Sequence, residues 1–200
     1  MTPAIRLATT TDAPGIGAIY TPIVRETAIS FELEPPSPSI IAGRIEATAA
    51  SGFPWLVCDD SGRILGYAYA GRYRERPAYR WSVEVSVYVA ADARGRGIGQ
   101  ALYASLFRLL ALQGYRTVFA GTALPNPASV RLHEMMEFQP VGTYHAVGFK
   151  MGVWHDVLWW ERRLGSRSDP PSEPLSLADV QQNPTWRDAI AMGENRIRYD

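Results

Sequence analysis

Residues 85–99, VSVYVAADARGRGIG, carry an alternating apolar run that stops at a turn with three glycines at every second position, after which a helical pattern begins. A strand, a glycine-rich turn and a helix N-terminus together form an anion site, because the first N–H groups of a helix lack intrahelical partners and the helix dipole is positive there. The glycines allow positive φ and close backbone approach, and the two arginines of the turn add positive charge. The stretch therefore predicts a loop that binds a pyrophosphate.

Three kinds of nucleotide-binding loop can be distinguished by their spacing. A Walker loop requires Gly-Lys-Ser/Thr, which residues 85–99 lack. A Rossmann loop requires Gly-x-Gly-x-x-Gly and an acidic residue about 20 positions later, whereas the region near Ala120 reads TVFAGT. The pattern Arg/Gln-x-x-Gly-x-Gly/Ala fits residues 94–99, RGRGIG, in full. The loop thus resembles the acetyl-CoA pyrophosphate loop of the GNAT N-acetyltransferase superfamily, with a plain tight turn as the alternative.

The resemblance covers most of the chain and is to one GNAT branch, the phosphinothricin and methionine sulfoximine acetyltransferases. It runs in order from about residue 27 to about residue 160. The matching segments are TAISFELEPPS, YAGRYRERPAYRWSVEVSVYV, ARGRGIGQALY, LPNPASVRLHEMMEF and VGFKMGVWHDVLWW. The resemblance implies the GNAT acyltransferase fold, a mixed α/β fold whose central, mostly antiparallel sheet is splayed at the cofactor site and has helices on both faces.

Periodicity along the chain predicts the element order β-α-α-β-β-β-α-β-α-β-β, which is typical of a mixed sheet with helices on both faces. Pro22 interrupts the first helical pattern and is expected to kink or split that helix. After Leu164 the segment GSRSDPPSEP has the composition of a linker. We therefore expect a GNAT domain over residues 1–165 and a Pro/Ser-rich tail over residues 166–200, in which NPTWRDAIAM is a candidate short helix.

Composition narrows the class of function. The chain has 20 basic and 20 acidic residues, so its net charge gives no electrostatic reason to expect nucleic acid or a membrane surface as a partner. The single cysteine, Cys58, excludes an internal disulfide and lies in the apolar run WLVC, which favours a buried thiol and a cytoplasmic location. Because there is no signal-peptide pattern and no apolar run of about 18 residues, neither export nor a membrane span is expected.

The resemblance also implies where acetyl-CoA binds as a co-substrate. The strand before the loop is expected to pair its backbone with the pantetheine arm at Val87, Tyr88 and Val89, and one of these N–H groups would polarise the thioester carbonyl. Asn126 and Ser129 are expected on the other side of the cofactor, and Asn126 is also placed to cap a helix. The expected pyrophosphate-binding residues are Arg94, Gly95, Arg96, Gly97, Ile98, Gly99 and Gln100.

Two residues are candidates for proton transfer. Glu84 alternates with Ser86 and Tyr88 on one face of a strand, and a carboxylate in a central strand is costly to bury without a partner, which favours an active-site cleft. The resemblance assigns Glu84 the role of general base, acting through a water or with a raised pKa, because a Glu with a pKa of about 4.3 is a weak base for an amine of about 8. His133 follows Ser129 by four positions, and a proton role and a packing role both remain open.

The segment RYRERPAYRW, just before the strand of Glu84, is either a solvated basic loop or a clamp for a carboxylate or phosphinate on the acceptor. The resemblance favours Arg76 and Tyr79 as contacts, and Arg74 less firmly. It places Phe31 against the side chain of the acceptor. The expected acceptor-binding residues are Phe31, Arg74, Arg76, Tyr79, Glu84 and Ser86.

The chain departs from the branch at one position and offers no metal site. Glu137 in MMEF stands where the branch usually has a glycine, which puts the local geometry in doubt more than the activity. His155 and Asp156 are adjacent but lack the further ligands that a metal needs. No metal is therefore predicted.

The last two predicted strands carry more large aromatic residues than one face of a sheet can bury, since Trp159 and Trp160 point to opposite sides. Exposed aromatic residues are typical of an interface. With the resemblance, this favours a homodimer. The alternative is that the tail covers these residues within one chain, with Trp186 as its anchor.

The leading hypothesis is an acetyl-CoA-dependent N-acetyltransferase that acetylates the primary amine of a small amino-acid-like acceptor, such as phosphinothricin, methionine sulfoximine or methionine sulfone. A second hypothesis is acetylation of peptide or protein N-termini. The arginine-rich loop opposes it, because a peptide amine has no adjacent free carboxylate. A third is a non-catalytic acyl-CoA-binding sensor, which the presence of Glu84 and His133 beside the loop opposes.

Overall fold

The structure is a computed structural model that describes residues 2–165 and 170–198. Within these residues seven strands form one sheet in the order β1-β2-β3-β4-β5-β7-β6. The strands are β1 Ala4–Leu7, β2 Trp55–Asp60, β3 Arg63–Arg72, β4 Ser82–Val89, β5 Thr117–Ala123, β6 Gln139–Lys150 and β7 Val153–Arg163. The helices are α1 Ala13–Glu26, α2 Pro38–Ala50, α3 Ile98–Gln113, α4 Pro127–Met135, α5 Leu177–Gln181 and α6 Trp186–Ala191. None of these helices combines the length and the apolarity that crossing a membrane requires.

The predicted order of strands and helices is confirmed from β1 to β7. Of the kink or split expected at Pro22 in the first helix, the split is wrong, because α1 continues through Pro22 to Glu26. Ile16, Ile19 and Ile23 are buried along one face of this helix. Their burial against the sheet outweighs the backbone hydrogen bond that proline cannot make.

Two apolar clusters cover the two faces of the sheet. Under α3, Leu102 and Leu106 are buried with Val83 and Val85 of β4. Cys58 is buried in the same cluster, as its apolar surroundings predicted. The second cluster lies beneath α1 and α2 and contains Ile16, Ile19, Ile23, Ile41, Ile45, Trp55, Val57 and Tyr67.

The sheet opens between β4 and β5. These strands run parallel and pair over only three residues each, Ser82 to Glu84 with Thr117 to Phe119. On its other edge β4 stays paired with β3 as far as Val89. The second half of β4 therefore has one backbone edge without a strand partner, and the splayed sheet implied by the resemblance is confirmed.

The described tail, residues 170–198, packs along α3. At the C-terminal end of this helix the indole of Trp81 donates a hydrogen bond to the Ser172 carbonyl (2.8 Å), and the Leu175 N–H donates to the Gln113 carbonyl (2.7 Å). Ala189 of α6 is buried in the core cluster beneath α3. Residues 166–169 of the predicted linker lie outside the described residues.

The packing of the tail tests one of the two predicted ways of covering the aromatic residues of β6 and β7, the cover by the tail of the same chain. Trp186 packs against the core cluster under α3, whereas Phe149 and Trp154 remain 56% and 64% exposed. The alternative in which Trp186 anchors the tail over these strands is therefore wrong for the described part of the tail. Periodicity located the short helix but carried no information about the surface it would pack on.

Glu137 has a left-handed backbone conformation, with φ of 60°. It follows the C-terminal cap of α4, a position where glycine adopts positive φ without strain. Its carboxylate forms an ion pair with Arg162 of β7 (2.9 Å between Nη2 and Oε2). Arg162 also donates a hydrogen bond to the Met136 carbonyl, so the helix end keeps a polar anchor although glycine is absent.

Candidate active site

A cleft of about 290 Å³ opens where β4 and β5 separate. It is bounded by β4, the start of α3, β5 and α4. The predicted cofactor-binding residues that line it are Val87, Tyr88, Val89, Arg94, Gly95, Ile98, Asn126 and Ser129. Ser86 and His133 also line it, so residues from four separate elements meet in one cavity. The lining does not include Arg96, Gly97, Gly99, Gln100 or Glu84.

The free edge of β4 presents specific backbone groups to this cleft. The Ala90 N–H donates to the Leu65 carbonyl (2.9 Å) on the β3 side. Backbone groups alternate in direction along a strand, so the N–H and C=O groups of Val87 and Val89 point away from β3 and toward the cleft. Those of Tyr88 point toward β3. Of the three predicted pantetheine contacts, Val87 and Val89 are therefore the ones with backbone groups available to a ligand.

The three glycines of the loop have different structural roles. Gly95 and Gly97 both have φ of 80°, which confirms that the loop needs a left-handed backbone at these positions. Gly97 is the N-terminal cap of α3. Gly99 lies inside the helix, where a Cβ atom would stand 3.2 Å from Leu132 of α4. Because Gly99 has no side chain, α3 and α4 can pack closely at this position.

Asn126 and Ser129 form the opposite wall of the cleft. The Asn126 Oδ1 atom accepts a hydrogen bond from the Ser129 N–H (3.1 Å), so the predicted cap of α4 is confirmed. The Ser129 hydroxyl lies 3.1 Å from the Thr122 hydroxyl of β5. Asn126 and Ser129 both line the cleft, so they can contact a ligand there while Asn126 also caps α4.

His133 is buried in the cleft wall, and its hydrogen bonds define its protonation. Its Nδ1 atom is 2.8 Å from the Ser129 carbonyl oxygen, which can only accept, so Nδ1 carries the proton. Nε2 then accepts a hydrogen bond from the Tyr103 hydroxyl (3.3 Å). Burial lowers the pKa of His133, and the hydrogen bond to Ser129 opposes this only in part. A neutral ring with both nitrogens engaged is better suited to orienting Tyr103 than to donating a proton.

Glu84 lies where the two strands separate, opposite Phe119 of β5 and Gly71 of β3. Its side chain is half-buried. Burial raises the pKa of its carboxyl group, and the positive charge of Arg74 opposes this in part. The net rise brings the carboxylate closer to the range in which it can accept a proton from an amine at neutral pH.

Among the arginines before β4, Arg74 is the one whose charge acts on Glu84. Its guanidinium lies 4.4 Å from the centre of the Tyr73 ring and 5.9 Å from that of Trp159. Arg76 is exposed and precedes the short helical turn that contains Tyr79, and neither residue lines the cleft. Arg74 does not line the cleft either, so of these three residues only Arg74 is linked to the site, through the effect of its charge on Glu84.

Phe31 belongs to the loop between α1 and α2, lies over Gly148 of β6 and does not line the cleft. A Cβ atom on Gly148 would stand 2.2 Å from the Phe31 ring, so the ring needs the glycine beneath it. The same loop is held by Lys150, whose Nζ atom donates to the carbonyls of Val24 and Ser30, both at 2.7 Å. Lys150 is 6% exposed, and it anchors the loop that carries Phe31.

Sequence reasoning missed two residues that line the cleft, Tyr103 and Thr122, and the buried Lys150, which anchors the α1–α2 loop. Tyr103 and Thr122 line the cleft, and Thr122 also accepts a hydrogen bond from the Trp160 indole (3.1 Å). In the sequence, each of these residues shows only as one polar group among apolar neighbours. That pattern is equally typical of a residue in the core. No group of three His, Cys, Asp or Glu side chains in the described ranges is arranged to hold a metal ion.

Comparison with known proteins identifies the family to which this chain belongs. The profile of the acetyltransferase (GNAT) domain matches residues 5–159. A phosphinothricin N-acetyltransferase of Streptomyces coelicolor is 47% identical over 149 residues, which cover 73% of this chain and 87% of the relative. An L-methionine sulfoximine/L-methionine sulfone acetyltransferase of Pseudomonas paraeruginosa is 35% identical over 172 residues, which cover 86% of this chain and all of the relative (100%).

A solved structure agrees with these relatives. The GNAT superfamily phosphinothricin acetyltransferase from Sinorhizobium meliloti, in complex with AcCoA, matches with a TM-score of 0.82 and 36% identity. The match covers 88% of this chain and 96% of that chain. Fold, loop and sequence therefore agree, and the chain belongs to the GNAT family as an N-acetyltransferase similar to the phosphinothricin and methionine sulfoximine acetyltransferases.

Proposed function

We propose that this protein transfers the acetyl group of acetyl-CoA to the primary amine of a small amino-acid-like acceptor of the phosphinothricin or methionine sulfoximine type. The observation that carries the proposal is the continuity of the cleft. It begins at the glycine loop at the start of α3, follows the free backbone edge of β4, and ends at Val85, the residue next to Glu84 at the point where β4 and β5 separate. A pyrophosphate, an extended arm and a reacting thioester need these three surroundings in this order.

The chain's own groups fit the steps of acetyl transfer. The free N–H groups of Val87 and Val89 fit the pantetheine arm and a thioester oxygen that becomes negative as the amine attacks. Glu84 takes the proton that the amine must lose when the C–N bond forms and the C–S bond breaks. Acetyl-CoA supplies the activated acyl group and a thiolate that leaves and takes up a proton. Tyr103, which lines the cleft and is hydrogen-bonded to His133, is proposed as the donor of that last proton.

Release of the CoA thiol across a panel of acceptors tests the proposal. We expect thiol release with phosphinothricin, methionine sulfoximine and methionine sulfone, and little with peptides that have a free N-terminus. Turnover of peptides alone would favour the N-terminal acetyltransferase hypothesis. Tight acetyl-CoA binding without turnover of any acceptor would favour the acyl-CoA sensor.

Arg74 is proposed as the cation that contacts the acid group of the acceptor. We expect Arg74→Ala to raise the acceptor KM by about tenfold or more and to leave the acetyl-CoA KM unchanged. The acid limb of kcat/KM should also move to higher pH, because the charge of Arg74 lowers the pKa of Glu84 and its loss lets that pKa rise. Steady-state kinetics over a pH series measures both effects.

Arg76→Ala is the matched comparison, because Arg76 is an exposed arginine of the same loop, whereas the charge that acts on Glu84 is that of Arg74. It should change the acceptor KM less than Arg74→Ala does. A larger increase of the acceptor KM in Arg76→Ala would instead assign the contact with the acid group of the acceptor to Arg76, the residue that the resemblance favours.

We also propose a homodimer formed through β6 and β7. The exposed apolar side chains of these strands and of the turn between them are Val141, Tyr144, Val147, Phe149, Met151, Val153 and Trp154. Sedimentation at micromolar concentration should show a dimer for the wild type and a monomer for the double variant Phe149→Glu, Trp154→Glu. A monomeric wild type would contradict this assembly.

A further inference from the structure

The end of the tail packs against the beginning of α3. The Gly193 N–H donates to the Ser105 hydroxyl (3.0 Å). A Cβ atom on Gly193 would stand 1.8 Å from the Ala101 carbonyl oxygen, so the backbone of the tail touches the backbone of the helix. Ile197 is buried in the core cluster. We refer to residues 193–198 as the C-terminal strap.

The C-terminal strap also contacts the glycine loop itself. The Arg198 N–H donates to the Arg96 carbonyl (2.9 Å). The Arg196 carbonyl oxygen would stand 2.2 Å from a Cβ atom on Gly97. Because a trans peptide is planar, holding the Arg96 carbonyl on the strap side directs the Gly97 N–H to the opposite side. The strap thus orients a peptide at the N-terminal cap of α3.

We infer that the C-terminal strap is a positioning element for cofactor binding. It holds the Arg96–Gly97 peptide in the left-handed arrangement that the loop adopts, before any anion binds. Glycine-rich loops lose much backbone entropy when they are ordered. A loop that is already ordered by the strap avoids this loss on binding, so acetyl-CoA binds more tightly.

The strap is not part of the shared acetyltransferase domain. The family profile ends at residue 159, and the strap begins more than 30 residues later. It reaches the loop because the tail runs the length of α3, from Gln113 back to Gly97. The inference rests on the proposed function, because it assumes that the glycine loop binds the pyrophosphate of acetyl-CoA.

Gly193→Ala in the full chain tests the inference. Gly193 has φ of −81°, which alanine adopts without strain, so the substitution acts only through its clash with the Ala101 carbonyl. We expect the Kd for acetyl-CoA, measured by calorimetry, to rise about tenfold. In the absence of ligand, amide hydrogen exchange of residues 94–99 should become about tenfold faster. The acceptor KM should not change.

Two further variants complete the test. Arg198→Pro removes the N–H that donates to Arg96 near the chain end, and it should show the same changes even if Gly193→Ala does not fold. Gly43→Ala is the control, because no atom lies within 4 Å of a Cβ atom there, and it should behave as wild type. An unchanged Kd in folded Arg198→Pro and Gly193→Ala would overturn the inference. Failure of wild-type protein to bind acetyl-CoA would instead overturn the proposed function.

Discussion

Replacing Glu84 by glutamine is expected to lower kcat by about 100-fold or more, while acetyl-CoA still binds. Glutamine keeps the shape of the side chain between β4 and β5 but cannot accept a proton. The cofactor contacts proposed for Val87, Val89 and the glycine loop do not involve Glu84, so the Kd for acetyl-CoA should stay within about twofold of wild type. Thiol-release assays measure kcat, and calorimetry on the same preparation measures the Kd for acetyl-CoA.

The pH dependence gives a second, independent readout for Glu84. A general base works only when it is deprotonated, so kcat/KM should fall as the pH drops through the pKa of Glu84. Because burial raises this pKa, the fall should occur at a higher pH than for an ordinary carboxylate. The Glu84→Gln variant should lose this acid limb along with most of its activity.

Glu46→Gln is the matched control, because Glu46 is exposed on α2 and away from the cleft. It should leave both kcat and the pH profile unchanged. Turnover of Glu84→Gln at the wild-type rate at neutral pH would remove Glu84 from the chemistry and leave proton removal to solvent.

Replacing Gly97 by valine is expected to raise the Kd for acetyl-CoA by about 100-fold, for two reasons that add. The residue has φ of 80°, where a β-branched side chain is strained by roughly 1–2 kcal/mol. The new Cβ atom would also stand 2.2 Å from the Arg196 carbonyl oxygen and displace the C-terminal strap. The melting temperature should therefore fall as well. Calorimetry and thermal melting measure the two changes.

Gly52→Val is the control that separates the effect of backbone strain on stability from an effect on acetyl-CoA binding. Gly52 has φ of 81°, no atom lies within 4 Å of a Cβ atom there, and it does not line the cleft. Its variant should lose stability through backbone strain alone and keep the wild-type Kd. An unchanged Kd in folded Gly97→Val would mean that the loop does not hold the pyrophosphate.

Local patterns predicted much of this protein because their physical causes are local. The alternation in residues 81–90 and the glycine spacing in residues 94–99 set a strand, two left-handed positions and a helix start, each of which depends on neighbours in the sequence. The cap at Asn126 and the burial of Cys58 follow from the same short-range chemistry. Pro22 shows the limit, since a helix that buries three isoleucines on the sheet tolerates a missing hydrogen bond.

The sequence by itself therefore determined the order of strands and helices, the left-handed glycine loop at the start of α3 and, through resemblance, the family of reaction. Only the tertiary structure decided that Arg74 is the arginine whose charge reaches Glu84, that Tyr103 meets His133, and that the tail lies on α3. The contacts of Tyr103 with His133 and of the tail with α3 join elements that are distant along the chain, and Arg74 and Glu84 belong to a loop and the strand after it. All three depend on how the strands separate and how the helices pack. No periodicity or spacing within one segment encodes such contacts, because their energy exists only once both partners are in place.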